Sequence, residues 1–183
     1  VSCHMPMTEF ARMRRSDHSM RPPTPAATLA YQSPNACQIC HTNQNAAWSY
    51  QFVREWRQRD YQKPVLERAA LIAAARKGDW TKLPDMLAYL SRPDREEIQT
   101  VSLVRLLASC PAEAKWPVLR KLMGDASPLV RASAADALGG RLDQANATAL
   151  AEATGDDYRL VRVRAATAPG VPRAQEGRLS PAA

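Results

Sequence analysis

The chain reads as mainly α: an irregular front module with few helices, followed by a short α-solenoid of helix pairs. Three observations predict this. Residues 1 to about 62 differ from the rest: the part through Pro34 is rich in Pro, Met, Ser and Thr with little periodicity, and Trp48, Phe52 and Trp56 then recur at i, i+4 and i+8. From about Lys63 the composition turns to Ala and Leu at helical spacing. That second part also repeats. Gly124-Asp125-Ala126-Ser127-Pro128-Leu129-Val130-Arg131, then Ala134-Ala135 and Ala137, returns 31 residues later. The second copy is Gly155-Asp156-Asp157-Tyr158-Arg159-Leu160-Val161-Arg162, then Ala165-Ala166 and Ala168.

Through Pro34 irregular chain is expected. Arg21-Pro22-Pro23-Thr24-Pro25 cannot be helix, because each proline removes a donor and restricts its predecessor. Helix is expected to resume from about Asn45 to Arg59, with the Trp48–Phe52–Trp56 stripe on one face. The ordinary reading of such a stripe is core packing, ahead of a dedicated electron relay, and under either it should face the haem or the next domain. Further on, a weaker copy of the repeat runs from Pro93-Asp94 through Leu103-Val104 to Leu106-Leu107. Second helices fall near Leu83–Leu90, Trp116–Met123 and Asp143–Ala153.

One helix pair cannot close its own core, so it stacks on its neighbours. Gly-Asp should end one helix and cap the next. The repeated alanines let helices approach, and the arginine after Leu-Val should reach along the next repeat to an aspartate or a carbonyl. Pro169, Gly170 and Pro172 break the pattern. The expected domains are therefore a front module at 1–62, helical repeats at 63–170 and a disordered tail at 171–183.

The 183 residues are 45% hydrophobic, enough for a packed core, and no apolar run is long enough to span a membrane. Net charge is +7, mostly from arginine. The arginines are scattered and accompany no recognition motif, so a solvated basic surface is expected, with no nucleic-acid partner.

Cys37-Gln38-Ile39-Cys40-His41 is a C-x-x-C-H motif. Two thiols at this spacing reach the two vinyl groups on one side of a porphyrin, and the adjacent histidine falls under the metal. The motif therefore predicts haem c held by Cys37 and Cys40, with His41 as proximal iron ligand. Cys3-His4 matches the last two letters of the same motif, with its first cysteine expected one residue before Val1. The chain is thus expected to be a fragment cut inside a second haem site, with His4 as proximal ligand there. His18 belongs to neither motif and is the candidate distal ligand, in competition with Met5, Met7, Met13 and Met20. The spacing leaves open which haem His18 would serve. Cys110 reads as a structural, half-buried thiol at a helix end. Thioether attachment occurs outside the cytoplasm in bacteria, so an exported, periplasmic protein is expected.

The competing reading of the cysteines is structural zinc, with Cys37 and Cys40 as one pair and Cys3 with His4 or His18 as the other. Adjacent Cys3 and His4 make a poor pair because neighbouring side chains diverge.

The repeats resemble short HEAT repeats through Asp125, Pro128, Val130, Arg131 and Ala134, and again through Asp156, Val161, Arg162 and Ala165. Arg159 replaces the expected proline in the second copy. Residues 1 to 60 resemble the end of a bacterial multihaem cytochrome c module of the cytochrome c554 group. The resemblance rests on Cys3-His4-Met5-Pro6, Asp17-His18-Ser19-Met20-Arg21, the complete motif after Pro34-Asn35-Ala36, and Trp48. It implies closely stacked, mostly bis-histidine haems with His18 as an axial ligand. It also implies an exported protein in which HEAT-like or tetratricopeptide repeats follow the haem module.

The expected function is electron transfer through covalently bound haem c, with a redox partner or neighbouring haem domain and a possible protein partner on the repeats. No catalytic constellation stands out, so no catalytic residue is expected. Two alternatives remain: a HEAT-like interaction scaffold with an N-terminal zinc site, and the electron-entry end of a multihaem reductase.

Overall fold

Proline placement sets where helix begins. The structure, a computed structural model, describes residues 5–18 and 20–168. The expected attachment residues Cys3 and His4, and the tail expected over 171–183, lie outside the described residues. The chain divides into two compact units, Val1–Ala70 and Leu71–Ala183. Among the described residues it is mainly helical, and no helix is long and apolar enough to cross a membrane.

The first unit departs from the sequence expectation at its start. A hairpin of β1 (Met7–Phe10) and β2 (Met13–Ser16) pairs Met7 with Ser16 and Phe10 with Met13. Ala11 and Arg12 take positive φ angles of 46° and 66° at its turn. Hairpins favour this backbone because its twist matches the strands. Neither residue is the Asn or Gly that normally announces such a turn, so the hairpin has no sequence signature.

Helix also starts earlier than expected. α1 (Pro25–Tyr31) uses Pro25 in its first turn, where the missing N–H costs nothing. Its N-cap Thr24 makes no side-chain cap; instead Gln62 Oε1 accepts from the Ala26 N–H at 3.0 Å. Tyr61 hydroxyl donates to the Pro23 carbonyl close by. The C-x-x-C segment is itself a single turn, α2 (Cys37–Cys40). Asn45 caps α3 (Ala46–Trp56) by accepting from the Trp48 N–H at 2.9 Å. α3 packs on α1, and its buried residues are Ser49 and Val53. α4 (Lys63–Arg76) follows and ends at Gly78, whose φ of +69° a side chain would strain.

In the second unit, a 3-10 turn at Trp80–Lys82 leads into α5 (Leu83–Leu90). Then come α6 (Glu97–Leu107), α7 (Lys115–Leu122), α8 (Pro128–Leu138), α9 (Gln144–Ala153) and α10 (Arg159–Thr167). α6 packs on α8 and α8 on α10, while α5 packs on α7 and α7 on α9. The core between these two rows includes Met86, Leu90, Leu103, Leu107, Leu119, Leu138 and Leu150. The repeat positions behave as equivalents: Ala134 and Ala165 are fully buried, as are Ala137 and Ala168 to within a few per cent. Ala166, equivalent to buried Ala135, is exposed.

The arginine link is present. Arg131 Nε and Nη2 donate to Asp156 Oδ2 and Oδ1 at 2.8 and 2.9 Å, and its Nη1 reaches the Asp125 carbonyl at 2.7 Å. Arg162 repeats the carbonyl contact with Asp156 at 2.8 Å. In the weaker copy buried Thr100 occupies the arginine position, and Arg95 pairs with Asp125 instead.

The expected cap needs correction. Ser127, not Asp125, caps α8 by accepting from the N–H groups of Leu129 and Val130. Asp125 accepts from the Ser127 N–H at 2.9 Å and shapes the approach to the helix. Asp156 does the same for Tyr158, which makes no side-chain cap on α10. Cys110 is buried at 2% exposure rather than half-buried, because Lys115 folds over the end of α6 beside it. Lys115 Nζ donates to the carbonyls of Leu107, Ala108 and Cys110.

Candidate functional site

Asn35 builds the local frame. Its side-chain oxygen accepts from the Cys37 N–H at 3.0 Å, an Asx turn that starts α2. Its Nδ2 donates to Thr28 Oγ1 at 2.9 Å, which fixes the turn to α1. α2 closes when the His41 N–H donates to the Cys37 carbonyl at 2.8 Å. Cys37 and Cys40 are then three positions apart on one turn, a spacing that puts them on one side. Both thiols are free; Cys37 is half-buried and Cys40 exposed. Gln38 holds the turn to α3, its Nε2 donating to Ser49 Oγ at 2.7 Å and to the Asn45 carbonyl at 3.1 Å.

His41 leaves the helix at its C-cap, and its ring lies 4.7 Å from that of Trp48. The series continues from Trp48 to Phe52 at 4.8 Å and from Phe52 to Trp56 at 5.9 Å. The rings are tilted by about 50°, within the edge-and-face geometry that aromatic pairs favour. Trp56 at the far end is 71% exposed. The aromatic stripe is therefore not the core face of α3, because Ser49 and Val53, one position round, are what the helix buries. Tyr61 stands near this frame. Burial pushes its phenol above the ordinary 10.0, with Arg57 opposing and Cys37 adding to the rise.

The donor set fits a porphyrin held by two thioethers and an iron–imidazole bond. Two unbridged thiols share one turn, an imidazole follows directly, and the surrounding unit has little core of its own. Among its described residues only Pro25, Ala26, Ser49, Val53 and Gln62 are buried. Ile39 within the motif is 54% exposed, and Leu29 and Tyr31 on α1 are exposed as well.

Of the expected site residues, the structure brings together Cys37, Cys40 and His41. His18 lies just beyond β2, exposed, on a separate segment. Met5 is half-buried; Met7, Met13 and Met20 are exposed. Among the described residues no group of three or more His, Cys, Asp and Glu gathers to hold a metal ion. The zinc reading also draws on Cys3 and His4, outside the described residues. Asn35 and Gln38 were missed at the sequence level. Asn two residues before a helical cysteine is an Asx-turn signal, whereas nothing local marks Gln38 as a tie to Ser49.

Comparison of the chain with protein families, with curated proteins and with solved structures returned no match.

Proposed function

We propose that this chain transfers electrons through covalently bound haem c, and that its second unit is an α-solenoid of HEAT-like pairs serving as a docking surface. The α2 turn carries this reading: Cys37 and Cys40 on one turn, with His41 directly after them. Cys37 and Cys40 would hold the group as thioethers and His41 would be its proximal iron ligand. When bound, haem c supplies a one-electron Fe(III)/Fe(II) couple. Asn35 and Gln38 pin the turn so that both thiols and the imidazole keep one orientation. Trp48 buttresses the His41 ring and limits its rotation. His18 is the proposed distal ligand, and a second imidazole there would lower the potential relative to methionine. His4, with Cys3, would serve a further haem. Because bacteria make such thioethers outside the cytoplasm, the proposal places the protein in the periplasm.

The test is maturation of the protein in a bacterial host with c-haem maturation machinery. Covalent haem that disappears in the Cys37→Ser/Cys40→Ser variant supports the proposal. Colourless protein with unmodified thiols refutes it. For His18, a His18→Ala variant that keeps its low-spin spectrum and potential would remove that ligand from the account.

A further inference from the structure

We propose that Trp56 and the arginines beside it form the contact at which an acidic one-electron carrier protein docks, in electronic contact with His41 through Phe52 and Trp48. The inference rests on the haem proposal and names the kind of partner it would use.

Two observations point the same way. The first is the ring series, which begins at the side chain proposed to touch the metal and ends at a tryptophan 71% in water. Tryptophan and arginine are also the residues that most often dominate protein contacts when truncated. The second is charge. Residues 54–63 carry Arg54, Arg57, Arg59 and Lys63 against Glu55 and Asp60. Asp60 is already paired with Arg54 at 2.8 Å, and Glu55 accepts from Gln51 at 2.9 Å. Arg57 and Arg59, exposed on either side of the turn after α3, dominate what is left. A carrier presenting carboxylates around an apolar patch is complementary to this surface. A basic carrier is repelled by it and by the chain's net +7.

The ring series gives the contact a purpose beyond adhesion. Tight ring-to-ring packing is a more continuous route through the protein than side chains separated by water. With haem c bound, the partner would gain or lose one electron and the haem would supply the opposite change, with no bond made or broken and no proton moved. Trp48, Phe52 and Trp56 are not themselves converted.

The haem-loaded, full-length protein is immobilised on a gold electrode coated with a carboxylate-terminated monolayer, an anionic surface that exchanges one electron at a time. Trp56→Ala and Phe52→Leu should each lower the interfacial electron-transfer rate constant without moving the midpoint potential. Trp56→Phe should retain most of the rate. Arg57→Glu/Arg59→Glu should weaken adsorption more than Arg105→Glu/Arg159→Glu, which makes the same change in net charge on the second unit. Hydroxyl-radical footprinting of the loaded protein should label Trp56.

An unchanged rate in Trp56→Ala, equal adsorption of the two double-charge variants, or protection of Trp56 in the loaded protein would each overturn the docking proposal. The adsorption comparison needs no haem, and the rate and the footprint are read only on protein already shown to carry it. Failure of attachment is read separately, from the absence of covalent haem, and sinks the parent proposal instead.

Discussion

Removing the Arg131 guanidinium should uncouple α8 from the turn that starts α10. Both side chains of the Arg131–Asp156 pair are only 13% exposed, so water screens them far less than an ordinary surface pair. The guanidinium makes two charge-assisted bonds to the carboxylate and a third to the Asp125 carbonyl, and it lies 5.5 Å from the Tyr158 ring. A net hydrogen bond to a charged group is worth about 1.5–3 kcal/mol. Asp156 keeps its bond from the Tyr158 N–H, so it is not fully orphaned. The expected cost of Arg131→Met is therefore about 2–3 kcal/mol, short of the ~3–5 kcal/mol seen when a deeply buried pair loses one partner.

The assay is native-state hydrogen exchange of the α8 and α10 amides in wild type, Arg131→Met, Asp156→Asn and the double variant. The cycle should return a coupling of about 2 kcal/mol. The pair should also leave a pH signature. Arg131's hydrogen bond is the largest cause holding Asp156 below its ordinary 3.8. A carboxylate whose folded value is depressed contributes stability above its unfolded value and loses it as pH falls through the folded one. The stability gap between wild type and Arg131→Met should thus be full near neutrality and shrink below pH 3.8. A coupling under about 0.5 kcal/mol, typical of exposed pairs, would refute this reasoning.

Three further outcomes follow from single contacts. Lys115→Met should cost about 2–3 kcal/mol by leaving the carbonyls at the end of α6 without their donor, read as a fall in the urea midpoint. Ser127→Ala removes the α8 cap and should cost about 1 kcal/mol, seen as faster exchange at Leu129 and Val130. Gln62→Ala leaves the buried Ala26 N–H without its acceptor and should cost about 1–3 kcal/mol, with exchange at that amide accelerated while α8 is unaffected.

What could be read from the sequence was whatever repeats or is local. The helix at Leu83–Leu90 has the expected bounds, and Lys115–Leu122 and Gln144–Ala153 lie within a residue of theirs, because their period marks them, with Asp143 capping the last. The Arg131 link was visible because the same triplet recurs 31 residues on, with an aspartate just ahead of it. The hairpin was not, since Ala11 and Arg12 adopt its turn without turn residues. The extra helix α1 was hidden by the prolines around it, and its first free amide is satisfied by Gln62, 36 residues away. Swaps of partner are equally invisible. Arg95 serves Asp125 where the repeat would place the arginine at Thr100, and the cap falls on Ser127 because that side chain, not Asp125, reaches the first helical amides. At the candidate site the motif gave the donors directly. The period of Trp48–Phe52–Trp56 did not show that Trp56 ends in water, because periodicity defines a stripe and cannot say which of its members finds a partner.

The most direct test of the central claim is intact mass and alkaline pyridine haemochrome spectroscopy on the periplasmically matured, full-length protein. Peptide mapping then locates the adduct. One haem on the peptide containing Cys37 and Cys40, with the absorption of a doubly thioether-linked haem, is the predicted result. An unmodified peptide and no α band would contradict it.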